Sequence, residues 1–260
     1  MIEVRPLTST SWDELAAAFG EAFGDYAVPM AMSADALAAM QRRRGYAPEV
    51  SFGAFEGRRL IGFVLTCLDG DRAYNSGTGV IPARRRHGVA RRLVEAVIAS
   101  VGARTYLLEV LAGNAGAIAF YRSLGFAQTR RLRCWTYAAA GATAPELAAP
   151  DLDAIAAHAD VAPSWQNAVA SIRRASEPCV VLGDREAAAV VFPGSADLPL
   201  LAVARDARRR GHGARLLAAA ASRCARPLRI LNVDARAEGI AAFLAAVGAE
   251  PLVEQLEMVR

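Results

Sequence analysis

In the run GTGVIPARRRHGVARRL, from Gly77 to Leu93, a row of arginines leads through a glycine into an apolar periodicity. Arg84, Arg85 and Arg86 stand in a row, His87 and Gly88 follow, and Val89, Leu93, Val97 and Val101 then recur every fourth residue. Pro82 has no N–H for a strand ladder, so a strand should end near Val80 or Ile81. The apolar stripe, with Arg91, Arg92 and Glu95 on the other face, predicts a helix from about Gly88. The first amides of a helix have no intrahelical acceptor and carry partial positive charge, so this start suits an anion, and a pyrophosphate fits best. Gly88 and Ala90 are small enough to let phosphate oxygens reach those amides. Taken alone, the run could equally be a solvated basic turn before an ordinary amphipathic helix.

Other chemistries are excluded or disfavoured. The 30 basic residues are all arginine, which removes a phosphate-loop, Schiff-base or nucleophilic lysine. His87, His158 and His212 have no metal-ligand spacing, no G-x-S-x-G occurs, and Leu216 stands where a dinucleotide fingerprint needs a third glycine or alanine, so no metal is expected. The net charge of +4 is concentrated in Arg42–Arg44, Arg84–Arg86 and Arg208–Arg210, but without interleaved aromatics or a DNA-reading motif it does not favour nucleic acid. Cys67, Cys134, Cys179 and Cys224 lie apart in apolar surroundings and are expected to be reduced core thiols. No apolar run has the length of a membrane span and no hydrophobic signal core opens the chain, so a cytoplasmic protein without a membrane partner is expected.

The arrangement R-x-x-G-x-A at Arg85, Gly88 and Ala90, after a strand ending Val80-Ile81-Pro82, resembles the acetyl-CoA pyrophosphate loop of the GNAT superfamily of N-acetyltransferases. The later block LLEVLAGNAGAIAFYRSLGF, Leu107 to Phe126, resembles that family's next strand and helix. The resemblance implies acetyl-CoA as cosubstrate, held by Val80, Ile81, Arg85, Arg86, His87, Gly88, Val89, Ala90 and Asn114. It implies Tyr121 as the acid that protonates the departing CoA thiolate. Glu109 stands twelve residues before Tyr121, which matches the base and acid spacing of ribosomal-protein N-terminal acetyltransferases; a carboxylate merely facing solvent is the alternative. The implied reaction is acetyl transfer to a primary amine of a small molecule or peptide by direct attack in a ternary complex. A non-catalytic acetyl-CoA sensor or scaffold is the second reading. The resemblance also implies that Phe23, Tyr26 and Val28 line the acceptor pocket, against plain packing of a helix corner. Neither the acceptor nor the oligomeric state follows from the sequence.

The elements that must position these residues are legible in outline. Ser11 and Glu14 have capping-box spacing for a helix to about Phe23, and a second helix should cover 34–44. Extended runs at 50–55, 60–68 and 73–81, separated by turn residues, predict an antiparallel meander feeding the loop. A strand at 106–111, a helix at 115–124 and a closing strand at 131–137 should follow. The alignment that places Arg85 on Arg208 also places Gly88 on Gly211, Leu93 on Leu216, Val110 on Val233, Phe120 on Phe243 and Gly125 on Gly248, without a gap from 80 to 126. The expectation is therefore an α+β protein of two tandem GNAT-type domains, each a mixed, mostly antiparallel sheet flanked by helices: a catalytic domain at 1–138, a linker at 139–150 and a shorter, degenerate copy at 151–260. In that copy Asn232 replaces Glu109, Ala237 replaces Asn114 and Leu244 replaces Tyr121.

Overall fold

The computed structural model describes residues 1–25 and 32–260, which divide into two compact units. The first comprises Met1–Glu109, Gly116–Gln128 and Met258–Arg260; the second comprises Val110–Ala115 and Thr129–Glu257.

In the first unit the chain runs β1 (Ile2–Pro6), α1 (Trp12–Phe23), α2 (Ala34–Arg44), β2 (Phe52–Glu56), β3 (Arg59–Asp69), β4 (Arg72–Val80), α3 (Val89–Val101), β5 (Thr105–Leu111) as far as Glu109, and α4 (Ala115–Ser123) from Gly116 on. The capping box forms as expected: the Glu14 N–H donates to Ser11 Oγ at 3.2 Å and the Ser11 N–H to Glu14 Oε2 at 2.9 Å. Strands β1 to β4 pair antiparallel in sequence order, and β4 pairs parallel with β5. Side chains alternate along a strand, so β3 serves both faces of the sheet. Phe63 and Leu65 pack with Leu15, Phe19 and Phe23 of α1 and Leu37 of α2. On the opposite face Gly62 lets α3 approach: a Cβ there would lie 3.1 Å from Gly79 O and 3.3 Å from Leu93 Cδ1. Burial of Val89, Leu93, Val94, Val97 and Val101 anchors α3, each contributing about 1.5–3 kcal/mol.

The second unit carries β6 (Ala127–Tyr137) from Thr129 on, then α5 (Leu152–Ala156), α6 (Val169–Arg174), β7 (Val180–Gly183), β8 (Ala187–Phe192), β9 (Asp197–Val203), α7 (His212–Ala221), β10 (Leu228–Asp234), α8 (Glu238–Ala246) and β11 (Glu250–Val259), the last to Glu257. Here β7, β8 and β9 form the antiparallel meander, β9 meets β10 in parallel, and β10 pairs antiparallel with β6. Among the described residues the antiparallel run leading into the loop at Arg208 has three strands, β7 to β9, where the run leading into the loop at Arg85 has four, β1 to β4.

Two features differ from what the sequence suggested. Strand β6, read as closing the first copy, lies from Thr129 on with the second unit, while Met258–Arg260 sit beside β5 in the first, where Arg260 and Tyr106 exchange backbone hydrogen bonds at 2.9 Å. Which neighbour a strand takes is decided by long-range hydrogen bonding that no local pattern encodes. Cys179, expected in the core, is exposed, and Cys224 is half-buried; Cys67 and Cys134 are buried. Residues 138–150 form no helix or strand beyond an isolated bridge from Glu146 to Leu182.

Candidate active site

The parallel ladder between β4 and β5 covers only Arg72–Thr105 to Asn75–Leu108, after which the two strands part. Beyond that point β4 continues through Val80 into the loop, and β5 continues through Glu109. The site residues of the first unit are therefore distributed around a gap at the ends of two parallel strands.

The loop is fixed by its arginines. Arg84 makes a two-armed pair with Glu56, at 2.8 Å from both Nε and Nη2. Arg85 reaches back along β4, donating to Val80 O at 3.1 Å, Ala22 O at 2.8 Å and both oxygens of Asp25 at 2.5 and 2.8 Å. This hydrogen bonding holds the Asp25 carboxyl below the usual carboxylate range, against a small opposing effect of burial. Arg86 adopts a left-handed φ of 63°, which costs a non-glycine residue about 1–2 kcal/mol, and Gly88 follows at 76°. His87 lies against the Arg85 carbonyl, with Nδ1 2.6 Å from it. The first intrahelical bond of α3 runs from the Arg92 N–H to Gly88 O at 3.1 Å, so the preceding amides lie beyond its ladder. Arg86, His87 and Gly88 are exposed, Ala90 is half-buried, and Val80, Ile81 and Val89 are buried. A Cβ at Gly88 would meet no protein atom, so the space over the helix start is open.

Glu109 is half-buried at the parting of the strands, and its Oε2 accepts a 3.0 Å hydrogen bond from the Tyr74 hydroxyl. Burial first, then the Glu109 charge, push the Tyr74 phenol well above its ordinary pKa, which keeps it a donor. Tyr121 is buried on α4, with its ring edge-on to Phe126 at 5.6 Å; Phe126 in turn lies 5.5 Å from Tyr106 of β5. Asn114 sits in the turn after β5, where its N–H donates to Leu111 O at 2.9 Å, in the segment grouped with the second unit. Phe23 is a core residue against Phe19 and Phe63, as helix-corner packing requires, whereas Tyr26 and Val28 lie outside the described residues. Tyr74 and Asp25 were not singled out by the sequence. They stand 35 and 60 residues from their partners, and only the fold brings them close.

The second unit repeats the loop. Arg208 donates to Val203 O at 3.0 Å, His158 O at 2.9 Å and Asp160 Oδ2 at 2.8 Å, and Arg209 and Gly211 take left-handed φ values of 64° and 84°. At the remaining positions it diverges. Asn232 is buried in a left-handed conformation, φ 55°, at a break in the β10 ladder. Its Oδ1 accepts from Gln255 Nε2 at 2.8 Å and from Cys134 Sγ at 3.2 Å. Leu244 is buried in the apolar core.

Residues 12–126, somewhat under half of the chain, match the acetyltransferase (GNAT) family model. It is 33% identical over 93 residues to the N-alpha-acetyltransferase 30 of Schizosaccharomyces pombe, covering 33% of this chain and 62% of that protein. It is 36% identical over 80 residues to the [ribosomal protein bS18]-alanine N-acetyltransferase of Escherichia coli, covering 30% of this chain and 54% of that protein. The chain thus spans just over half the length of these curated relatives. The fold of the whole chain resembles a tandem GNAT protein from the clavulanic acid biosynthesis pathway, with a TM-score of 0.67 at 16% identity over 100% of this chain and 98% of the other. Among the described residues no helix is long and apolar enough to cross a membrane.

Proposed function

We propose that the chain is an N-acetyltransferase that moves acetyl from acetyl-CoA to a primary amine, with the chemistry in the N-terminal copy, 1–138. The observation that carries this reading is the parting of β4 and β5, with Glu109 on one strand and the other feeding the open helix start at Gly88. The GNAT family match and relatives named as N-acetyltransferases support it.

The pyrophosphate of acetyl-CoA would meet the amides from Arg86 to Ala90, flanked by Val80, Ile81, His87 and Val89, while Arg85 and Arg84 hold the loop in shape. An alkylammonium has no lone pair, and a lysine-like amine titrates near 10.4, so little of it is nucleophilic at neutral pH. Glu109, through water, would take that proton. The amine nitrogen would then attack the thioester carbonyl and the C–S bond break, with the departing thiolate taking a proton from Tyr121 and the second proton shed by the acylated nitrogen returning through water to the tyrosine. Because a thiol titrates at roughly 8.5, Tyr121 helps without being indispensable. The second copy is read as catalytically silent, because Leu244 donates no proton and the amide of Asn232 is no base.

The test is CoA release by purified protein over a panel of amines: alanine-initiated peptides, lysine side chains, polyamines and small drug-like amines. Turnover of one class names the acceptor. Acetyl-CoA binding with no turnover on any amine would leave the sensor reading in place of this one.

A further inference from the structure

We propose that Tyr74 is a positioning residue for Glu109, fixing its carboxylate, as the anion, at the point where β4 and β5 part. This rests on the reading of Glu109 as the base. The register places Tyr74 opposite Leu107, and strand periodicity of two puts Glu109 on the same face one step further along. The ladder with β4 ends at Asn75–Leu108, so Glu109 is the first residue of β5 on that face with no β4 residue opposite. The Tyr74 hydroxyl reaches diagonally across and closes this gap at 3.0 Å. The phenol is 4% exposed, so its orientation is set by core packing rather than by solvent.

The charged and titratable groups that act on Tyr74 are Glu109 of β5, Arg44 of α2 and Cys67 of β3. Arg44 is itself anchored, donating to Ser76 Oγ at 2.9 Å and Ser76 O at 3.3 Å. A donor that stays protonated stabilises the ionised form of its acceptor. Tyr74 therefore favours the ionised carboxylate of Glu109 and restricts where it can be. Phenylalanine would fill the same volume and remove the hydroxyl that donates to Glu109.

Titration of Glu109 tests this without any acceptor. In protein labelled with 13C-carboxyl glutamate, with the Glu109 signal assigned by its loss in Glu109→Gln, Tyr74→Phe should raise the midpoint by about one pH unit. An unmoved midpoint overturns the proposal. With an alanine-initiated octapeptide as acceptor, Tyr74→Phe should lower kcat about tenfold at pH 7, shift the acid limb upward and leave the KM for acetyl-CoA unchanged. In a Glu109→Gln background it should change nothing further, and additive losses would overturn the proposal. Wild-type kcat in Glu109→Gln alone defeats the base reading and this inference together, whereas a slow Glu109→Gln beside an unaltered Tyr74→Phe defeats only the inference. Should the octapeptide not be turned over, the titration decides. Should Tyr74→Phe not fold, Glu109→Asp withdraws the carboxylate by one methylene and should also lose kcat; wild-type turnover in that variant overturns the proposal.

Discussion

The loops at Arg85 and Arg208 are nearly superimposable in their bonding, while the positions around them have parted company. Each arginine donates to the carbonyl five residues back, to a carbonyl at or beyond the end of an earlier helix and to an aspartate, and each is followed by a left-handed residue and then a left-handed glycine. Glu109 and Tyr121 have no chemical counterpart in Asn232 and Leu244. The arginine of R-x-x-G therefore maintains the shape of the strand-to-helix turn, a demand that persists in a copy where Asn232 and Leu244 stand in place of Glu109 and Tyr121. A loop motif is thus a statement about folding first, and the residues on the neighbouring strand and helix say whether chemistry accompanies it.

The largest effects are expected from blocking one loop at a time. Gly88→Glu sets a bulky anion over the open helix start and adds strain at a left-handed φ, so calorimetry should show acetyl-CoA affinity falling by about two orders of magnitude or more. Gly211→Glu should leave turnover unaltered. Equal turnover losses from both would mean that the second copy is not silent.

Next in size are the chemical groups. Tyr121→Phe should lower kcat by about ten- to a thousandfold with acetyl-CoA affinity retained, and Glu109→Gln should be slow at neutral pH and recover partly at higher pH, where more amine is deprotonated. Wild-type kcat in both across the pH range would make the two residues part of the packing.

Leu244→Ala sharpens the contrast differently. The side chain is buried, so the substitution should cost about 2–5 kcal/mol in a denaturant titration while turnover per folded molecule stays near wild type. Asn232→Ala should behave likewise at smaller cost.

The smallest effect concerns acid. The Asp25 carboxyl is depressed by Arg85, so its contribution to stability is present above the unfolded value of about 3.9 and is lost as pH falls through the lower folded value. Asp25→Asn should therefore reduce the thermal midpoint slightly at pH 7, and the difference should shrink as pH falls below the ordinary carboxylate range. A difference that persists in acid would show that Asp25 does not hold the loop by charge.

Much of this molecule was legible in its sequence. Strand ends, the capping box, the helix at Gly88 and the internal repeat follow from local spacing, and all are found within a few residues of where spacing put them. The loop arginines were read as neighbours of a phosphate because their count and order are visible, but their partners Glu56 and Asp25 are not. The Tyr74–Glu109 pair escaped for a similar reason, since a tyrosine in an apolar strand carries no mark of the carboxylate it will meet. The allocation of β6 and of Met258–Arg260 was illegible because strand neighbours are chosen across the whole chain.

That last allocation bears on the order of events during synthesis. Tyr106 exchanges its N–H and C=O with Arg260, so the edge of β5 in the first unit acquires this partner only after about 150 further residues have been translated. At ordinary elongation rates that delay is on the order of ten seconds, far longer than a helix or hairpin needs to form. The nascent first unit must wait for that interval with a strand edge uncovered, a state in which chaperones or a neighbouring nascent chain can compete for the same backbone groups.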